Sequence, residues 1–190
     1  LATKNSTSAI RAALTLNVPS TSQTISTAVP ITVSSGTSGT LTNVVLNYGD
    51  GQSKSIGLLS GSQTVTHFYS STGIFDISVS GLDPDGVTAT QFGQIAVTGL
   101  NVGLALTSPS TVPVPRETTV AQFKATVTPV AASIRRYDWD FGDGTTDSTS
   151  SDTASHVYST STAFPPGARV VTVRVTVVPL YGESYSTSIQ

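Results

Sequence analysis

The sequence predicts an all-β protein made of two tandem β-sandwiches of immunoglobulin type. Apolar and polar residues alternate over runs of about five to eight positions rich in Val, Thr and Ile, which is typical of half-buried strands. A set of short markers also occurs twice, in the same order, along the chain. Ser and Thr together make up 59 of the 190 residues, a composition that suits the outward faces of strands.

The repeated markers define one duplicated module. The segment Asn47–Gly51, NYGDG, recurs 93 positions later as Asp140–Gly144, DFGDG. The other matched pairs are His67–Tyr69 with His156–Tyr158, Gly73–Val79 with Gly167–Val173, and Val29, Ile31 and Val33 with Phe123, Ala125 and Val127. Similar offsets throughout indicate a module of about 90 residues.

Each module contains six or seven short runs that alternate in this way. In the first, the predicted strands are Ala13–Val18, Ala28–Ser34, Leu41–Tyr48, Ser53–Leu59, Gln63–Phe68, Ile74–Ser80 and Thr88–Val97. In the second, they are Val102–Thr107, Thr119–Thr128, Arg135–Phe141, Ser155–Tyr158, Ala168–Val178 and Glu183–Ile189. An apolar face and a Ser/Thr face on each strand favour a two-sheet sandwich over a barrel.

The repeat sets the predicted domain bounds. We expect a polar tail over 1–11, a first sandwich over 12–98, a linker over 99–103 and a second sandwich over 104–190. Matching Ile189 to Ile95 predicts that the second sandwich is incomplete at its last strand. The linker is too short and too apolar for a free tether, so we expect the sandwiches to lie end to end with limited hinge freedom.

The composition excludes several classes of protein. A net charge of −2, with no basic run longer than Arg135-Arg136, provides no basic patch for nucleic acid or for an anionic membrane surface. No run approaches the ~18 apolar residues of a membrane span. The absence of Cys excludes disulfides, a thiol nucleophile and thiolate zinc sites.

The second module resembles a known family. Its Tyr137–Gly144 segment, YDWDFGDG, followed by His156–Tyr158 and then by a Gly and alternating Val, is similar to the PKD domain, an immunoglobulin-like repeat. The first module departs from this pattern, with Leu46 in place of the Trp and Asn47 in place of the Asp. The resemblance implies an extracellular, non-catalytic module, of a kind that occurs in cell-surface and surface-layer proteins and as an accessory in secreted proteases and chitinases.

Trp139 lies on the same predicted strand face as Tyr137 and Phe141, so we expect its ring between the sheets. The alternative is a surface ring that stacks on sugar. Leu46 fits the core interpretation, because a core tolerates a smaller aliphatic residue at a position where a binding platform would lose its ring.

Gly-Asp-Gly predicts a tight turn with an Asx-type hydrogen bond. The alternative is a calcium site, for which Asp138, Asp140 and Asp143 would supply oxygens, with Asp147 and Asp152 as further candidates. Strand parity places Asp138 and Asp140 opposite Trp139 and along an edge, so we assign no metal ligand and no cofactor.

His67 and His156 each precede a Tyr by two residues, at matching places in the repeat. Repetition at one landmark favours a buried His and Tyr that fix a strand corner over a proton-transfer pair. The sequence contains no nucleophile elbow and no paired-carboxylate cleft, so we assign no catalytic residue and do not expect an enzyme.

Three further segments carry predictions. Leu82–Gly86 predicts a hairpin turn. The insertion Ser159–Pro166 places Phe164 on a loop, where it either contacts a partner or folds back on its own sandwich. Asn5-Ser6-Thr7 is a formal N-glycosylation acceptor.

These observations favour a non-enzymatic structural or adhesive module of a secreted or cell-surface protein. It would act as a semi-rigid spacer whose partners are other proteins or copies of itself, as in a filament, a surface layer or a virion decoration. The alternative is an accessory module of a secreted hydrolase that binds polysaccharide or a collagen-like fibre. That function predicts exposed aromatic rings, and Tyr181 and Tyr185 are the candidates, on one face near the last hairpin.

Overall fold

The computed structural model describes residues 13–36, 39–110, 119–159 and 170–190. Across these ranges the regular secondary structure is entirely β-strand, which confirms the predicted all-β class. In these same ranges there is no helix with the length and apolar character to cross a membrane. The strands, in chain order, are β1 (Thr15–Asn17), β2 (Gln23–Thr24), β3 (Val29–Ser34), β4 (Thr40–Asn47), β5 (Ser53–Ser60), β6 (Ser62–His67), β7 (Gly73–Leu82), β8 (Thr88–Thr98), β9 (Asn101–Ser108), β10 (Ala121–Thr128), β11 (Ile134–Asp140), β12 (Thr146–Thr149), β13 (Thr153–His156), β14 (Val173–Pro179) and β15 (Tyr185–Ile189).

The described chain divides into two compact units. The first contains the described residues up to Gln23, together with Ala28–Phe68 and Thr72–Thr98. The second contains Thr24–Thr27, Tyr69–Ser71 and the described residues from Gly99 onward.

The first unit is built from a three-stranded sheet, β1-β3-β6, and a five-stranded sheet, β2-β8-β7-β4-β5. Alternate residues of both sheets are buried, because strand side chains point to opposite faces in turn. The buried set on these strands includes Val29, Ile31, Val33, Leu41, Leu46, Ile77, Val79 and Ile95. Two sheets that share one apolar core form a sandwich.

The second unit repeats this plan with sheets β13-β10-β9 and β12-β11-β14-β15. Its core draws on both sheets: Ala121, Phe123, Ala125, Tyr137, Trp139, Phe141, Ala154, Tyr158, Val173, Val175 and Val177. Trp139 is 1% exposed and Leu46 is fully buried, so the predicted core positions of both residues are confirmed.

Thirteen of the described strands correspond to predicted strands, and their ends differ mostly by one or two residues. The sequence missed β2 and β12. The two residues of β2 are too few to show an alternation, and β12, with the sequence TDST, is polar on both faces and lies at a sheet edge. The predicted strand from Ala168 begins at Val173 within the described residues, since 160–169 lie outside them.

Strand pairing corrects the sequence match between the copies at three places. Leu46 pairs with Val79 as Trp139 pairs with Val175, so Val79 corresponds to Val175 rather than to Val173. By the same comparison Val29 corresponds to Ala121 and not to Phe123, and Ile189 corresponds to Gly93 and not to Ile95. Each error is two residues, because a period of two cannot distinguish registers that differ by an even number.

Candidate functional site

The first Gly-Asp-Gly segment forms a turn that is stabilised by an amide and a carboxylate side chain, both of which accept backbone hydrogen bonds. Asn47 Oδ1 accepts a hydrogen bond from the Gly49 N–H at 2.9 Å. Asp50 Oδ1 accepts one from the Gln52 N–H at 3.0 Å. These contacts confirm the predicted Asx-type turn between β4 and β5.

The second copy uses the same two contacts. Asp140 Oδ1 accepts from the Gly142 N–H at 3.0 Å, and Asp143 Oδ1 accepts from the Thr145 N–H at 3.0 Å. Asp140 therefore does at this position what Asn47 does in the first copy. The amide can replace the carboxylate because the turn needs only an acceptor oxygen.

Both turns require glycine at their first Gly. Gly49 and Gly142 have φ values of +83° and +78°, a region that residues with a Cβ rarely adopt. A Cβ at Gly49 would also collide with backbone atoms of Asp76 on β7, and one at Gly142 with backbone atoms of Thr172, just before β14. The close backbone approach explains why this position is Gly in both copies.

Each repeated histidine binds the aspartate of its own turn. His67 Nε2 lies 2.7 Å from Asp50 Oδ2, and His156 Nε2 lies 2.7 Å from Asp143 Oδ2. Both carboxylates are nearly inaccessible, with side chains 7% and 2% exposed. The sequence placed the histidines at a strand corner but did not identify these partners, because the pairs are 17 and 13 residues apart and only the fold brings them together.

Aromatic packing holds the histidine rings. The His67 ring is parallel to the Tyr48 ring, with centroids 3.8 Å apart. His156 stacks on Phe141 at 4.3 Å and meets the edge of Tyr158 at 4.6 Å. Tyr158 donates its hydroxyl hydrogen bond to the Phe141 carbonyl at 3.1 Å, so the predicted corner role of His and Tyr is confirmed in this copy.

The surroundings shift the acidity of these groups. Burial alone would raise the pKa of Asp143, but hydrogen bonds from Thr145 and His156 outweigh it and hold the pKa below its ordinary value. Burial, with a smaller contribution from the Asp143 charge, raises the pKa of Tyr158 to about 12. The site thus contains a neutral Tyr158 hydroxyl and an Asp143 carboxylate whose two oxygens already accept hydrogen bonds.

The three aspartates considered for calcium have separate partners. Asp143 is bound by His156 and Thr145, and Asp140 accepts from the Gly142 N–H. Asp138 accepts from Arg136 Nε at 2.9 Å and from Ser148 Oγ at 2.7 Å. These hydrogen bonds, first that from Arg136, lower the pKa of Asp138. Among the described residues, no three or more acidic, His or Cys side chains are grouped so that they could hold a metal ion.

The outer face of the four-stranded sheet in the second unit is polar and charged. Asp140 pairs with Arg174 across β11 and β14, and Asp138 pairs with Thr176 one step further along. A shallow depression on this face is lined mainly by these four residues and by Thr146, Asp147 and Ser148. The arrangement provides hydrogen-bonding groups of both charge signs without an enclosed cavity.

The outer face of the five-stranded sheet in the first unit has a different character. Phe92 on β8 is 77% exposed and Ile74 on β7 is 68% exposed, although both lie within strands. Beside Phe92, the Gln94 amide donates to Asp76 Oδ1 at 2.8 Å. Phe92 was not among the predicted surface residues, although strand parity indicates its exposure. Ile95 and Val97 of the same strand point inward, so the even-numbered positions point outward.

The two tyrosines proposed as a sugar platform do not share a strand face. Tyr181 lies in the bend before β15, so strand parity does not apply to it, and the prediction was wrong in this respect. Tyr181 is 38% exposed, whereas Tyr185 is partly buried and its hydroxyl donates to Glu183 at 3.3 Å. Asn5 and Phe164, the other residues considered for surface roles, lie outside the described residues.

Comparison with known proteins agrees with the second copy of the repeat. The profile of the PKD domain matches residues 111–179. The chain is therefore similar to a PKD domain over most of the second unit. For the first unit, a PKD domain remains a prediction.

Several solved structures share a low similarity with the chain, and no curated protein matches it. The two-domain fibronectin type III segment of chicken tenascin is 13% identical, with 95% of this chain and 98% of that chain covered and a TM-score of 0.37. The fibronectin(III)-like modules of Clostridium thermocellum CbhA are 14% identical, with 92% and 93% covered and a TM-score of 0.33. The amphioxus IgVJ-C2 molecule is 14% identical, with 94% and 96% covered and a TM-score of 0.32.

Proposed function

We propose that the chain is a non-enzymatic structural and adhesive module of a secreted or cell-surface protein, a semi-rigid spacer that also contacts other proteins. The observation that carries this proposal is that each repeated histidine is bound to the aspartate of its own turn. In both copies the histidine and the aspartate that could have served chemistry are buried against each other and support a turn. The PKD match supports the same function, because domains of this kind are generally non-catalytic and typical of extracellular proteins.

The spacer function is supported by the connection between the copies. Only Gly99 and Leu100 separate the end of β8 from the start of β9, and Leu100 is buried. A two-residue connection gives the chain few rotatable bonds with which to reorient the two sandwiches.

Pulsed dipolar electron spin resonance can test the spacer function. The chain has no Cys, so spin labels attach only where Cys is introduced, and Lys54→Cys with Ser186→Cys places one on an exposed strand position of each copy. We expect a narrow distance distribution. The matched control inserts a Gly/Ser segment between Thr98 and Gly99 and should broaden it; an equally broad distribution in the uninserted protein would contradict the spacer function.

The adhesive function is assigned to the outer face of β4, β7 and β8, with a second copy of the chain as its partner. Phe92 and Ile74 supply exposed apolar area on this face, and Asp76 is the ionisable residue among its outward positions. Two such faces can therefore meet with little charge repulsion, and Asp76 is already hydrogen-bonded to Gln94.

Sedimentation equilibrium can test this association. The Phe92→Ser/Ile74→Ser variant should associate less than the unchanged protein. Val130→Ser is the control, because Val130 is 94% exposed but lies in the turn after β10 in the second unit. A monomer at every concentration, or an equal loss in the control, would rule out self-association through this face.

A second candidate function, an accessory module that binds polysaccharide, is favoured by the exposed ring of Phe92. An exposed aromatic beside an amide and a carboxylate could stack on a sugar ring and bind its hydroxyls. Retention on insoluble polysaccharide that is lost in Phe92→Ala, but kept in Phe92→Tyr and Val130→Ala, would support it. Absence of retention on cellulose, chitin and collagen fibres would exclude it, and loss only in Tyr181→Ala/Tyr185→Ala would move the site to the last hairpin.

A further inference from the structure

Three Asp-Gly steps occur in the chain, at Asp50-Gly51, Asp85-Gly86 and Asp143-Gly144. An Asp-Gly step can rearrange chemically, because glycine has no side chain to shield its backbone nitrogen. That nitrogen attacks the aspartate Cγ, a C–N bond forms, and the carboxyl group loses its OH with a proton as water. Water then opens the resulting succinimide at either carbonyl, which restores aspartate or gives isoaspartate, with an additional backbone carbon.

Asp143 is held against this reaction by contacts to both carboxyl oxygens. Oδ1 accepts from the backbone N–H and the hydroxyl of Thr145, and Oδ2 lies 2.7 Å from His156 Nε2. To form the ring, the carboxyl group would have to leave all of these donors and rotate toward Gly144. Its lowered pKa adds to the protection, because an ionised carboxylate has no neutral leaving group.

Asp50 is held in the same way. Its Oδ1 accepts from the Gln52 N–H at 3.0 Å, and its Oδ2 lies 2.7 Å from His67 Nε2. The side chain is 7% exposed. Water, which the second step of the reaction needs, therefore has little access.

Asp85 is in the opposite situation. It is exposed in the turn between β7 and β8, and within the described part of the chain no hydrogen bond reaches its carboxylate. The acceptor that organises this turn is Asp83, whose Oδ1 receives the N–H groups of Asp85 and Val87 at 3.0 and 2.8 Å. Gly86 resembles Gly51 and Gly144 in its positive φ and in the open space beside it, and its N–H donates to the Asp83 carbonyl at 3.0 Å. The difference between the three steps therefore lies in the carboxylate, which at Asp85 is exposed and accepts no hydrogen bond from the described residues.

We propose that Asp85-Gly86 is a site of isoaspartate formation in the folded protein, and that the two His–Asp pairs protect the corresponding steps at Asp50 and Asp143. The repeated histidine thus has a chemical role besides packing. A turn that needs an Asp acceptor before a positive-φ Gly is inherently prone to rearrangement, and the histidine removes that liability where an extra backbone carbon would disrupt the strand connection.

The test follows all three steps in one protein. Chymotryptic cleavage after Tyr48, Leu82 and Phe141 places each step in its own peptide, and electron-transfer fragmentation distinguishes isoaspartate from aspartate. After prolonged incubation of the folded chain, we expect isoaspartate at Asp85 to exceed that at either other step by about tenfold or more, given the strength of hydrogen bonds to charged groups. Equal accumulation at the three steps would overturn the proposal.

A second experiment distinguishes protection by the fold from an effect of the local sequence on the rate of isoaspartate formation. In urea the three steps should react at similar rates; a lead of Asp85 that persists unchanged in urea would show that the fold protects nothing. His156→Gln should raise isoaspartate at Asp143 and leave Asp50 unchanged, and Asp85→Glu should remove the signal from its own peptide. If circular dichroism shows that His156→Gln does not fold, Thr145→Val removes one donor to Asp143 and should raise the rate there; no rise in a folded Thr145→Val protein would contradict the protective role.

Discussion

The two copies agree in the apolar character of their inward positions and in the hydrogen bonds of their turns, and they differ in the character of their outward positions. On β4 and β11, Leu46 and Trp139 both point into a core, while the outward neighbours are Val45 in the first copy and Asp138 in the second. On β8 and β15, the outward Phe92 corresponds to Ser188. The contrast shows which positions the fold requires and which are available for contacts with other molecules.

The cores also differ in the large residue at the Trp139 position. Trp139 Nε1 donates to Thr149 Oγ1 of β12 at 3.0 Å, which anchors the four-residue edge strand of the second copy. In the first copy, Leu46 offers no such donor, and the corresponding edge strand β5 has eight residues. The N–H group of a buried Trp ring usually has a hydrogen-bond acceptor of this kind.

The largest expected effect comes from truncating the core residue at this position in each copy. Trp139→Ala should destabilise the second unit by about 3–5 kcal/mol, because it leaves a cavity and removes the anchor of β12. Leu46→Ala should cost the first unit about 2–5 kcal/mol. Differential scanning calorimetry should show the transition of one unit move in each variant, and a Trp139→Ala protein as stable as the unchanged chain would exclude the core role.

Removal of the turn carboxylates tests whether the two copies depend equally on the His–Asp pair. Asp143→Ala and Asp50→Ala should each cost about 1.5–3 kcal/mol, because each removes the carboxylate that accepts from a backbone N–H and binds the histidine Nε2. Trp139 is the single Trp of the chain, so its fluorescence reports on the second unit. Hydrogen exchange in β4 and β7 reports on the first, and an effect in only one unit would show that the pair is not equivalent in the two copies.

Acid should weaken the second unit through Asp143. Its pKa is held below the ordinary value of 3.8, so the unfolded chain binds a proton more readily than the folded chain does. This contribution is complete above about pH 4 and is lost as pH falls through the lower, folded pKa. Trp139 fluorescence during urea unfolding should show a steeper acid loss in the unchanged protein than in Asp143→Asn, and identical slopes would contradict the assignment.

The fold was largely predictable because its signal is local and repeated. Alternation identified the strands, and the two Gly-Asp-Gly segments fixed the turns, both without reference to distant residues. Register within the repeat was not predictable from alternation, which explains the two-residue errors at Val79, Val29 and Ile189. The residue pairs across neighbouring strands, which depend on the three-dimensional structure, were needed to correct them.

The site was predictable only in part. The Asx turns and the structural role of the histidines follow from residue types at turns and corners. The hydrogen bond between His67 and Asp50 joins the end of β6 to the turn between β4 and β5, 17 residues away, so no local pattern could reveal it. Phe92 is different, since strand parity alone places it outward, and the signal was present in the sequence.

The smallest expected effect comes from exchanging Asn47 and Asp140, which occupy the same turn position in the two copies. Both side chains present an Oδ1 to a glycine N–H, so the turn itself should be indifferent to the exchange. Asp140 also faces Arg174 across the strands, whereas Asn47 faces Ser78. Asp140→Asn should therefore cost about 0.2–1 kcal/mol and lose that cost at high salt, while Asn47→Asp should stay within about 0.5 kcal/mol at any salt. Urea unfolding of each variant at low and high salt measures both, and a salt-independent cost at Asp140 would mean that its carboxylate serves the turn as well as the cross-strand pair.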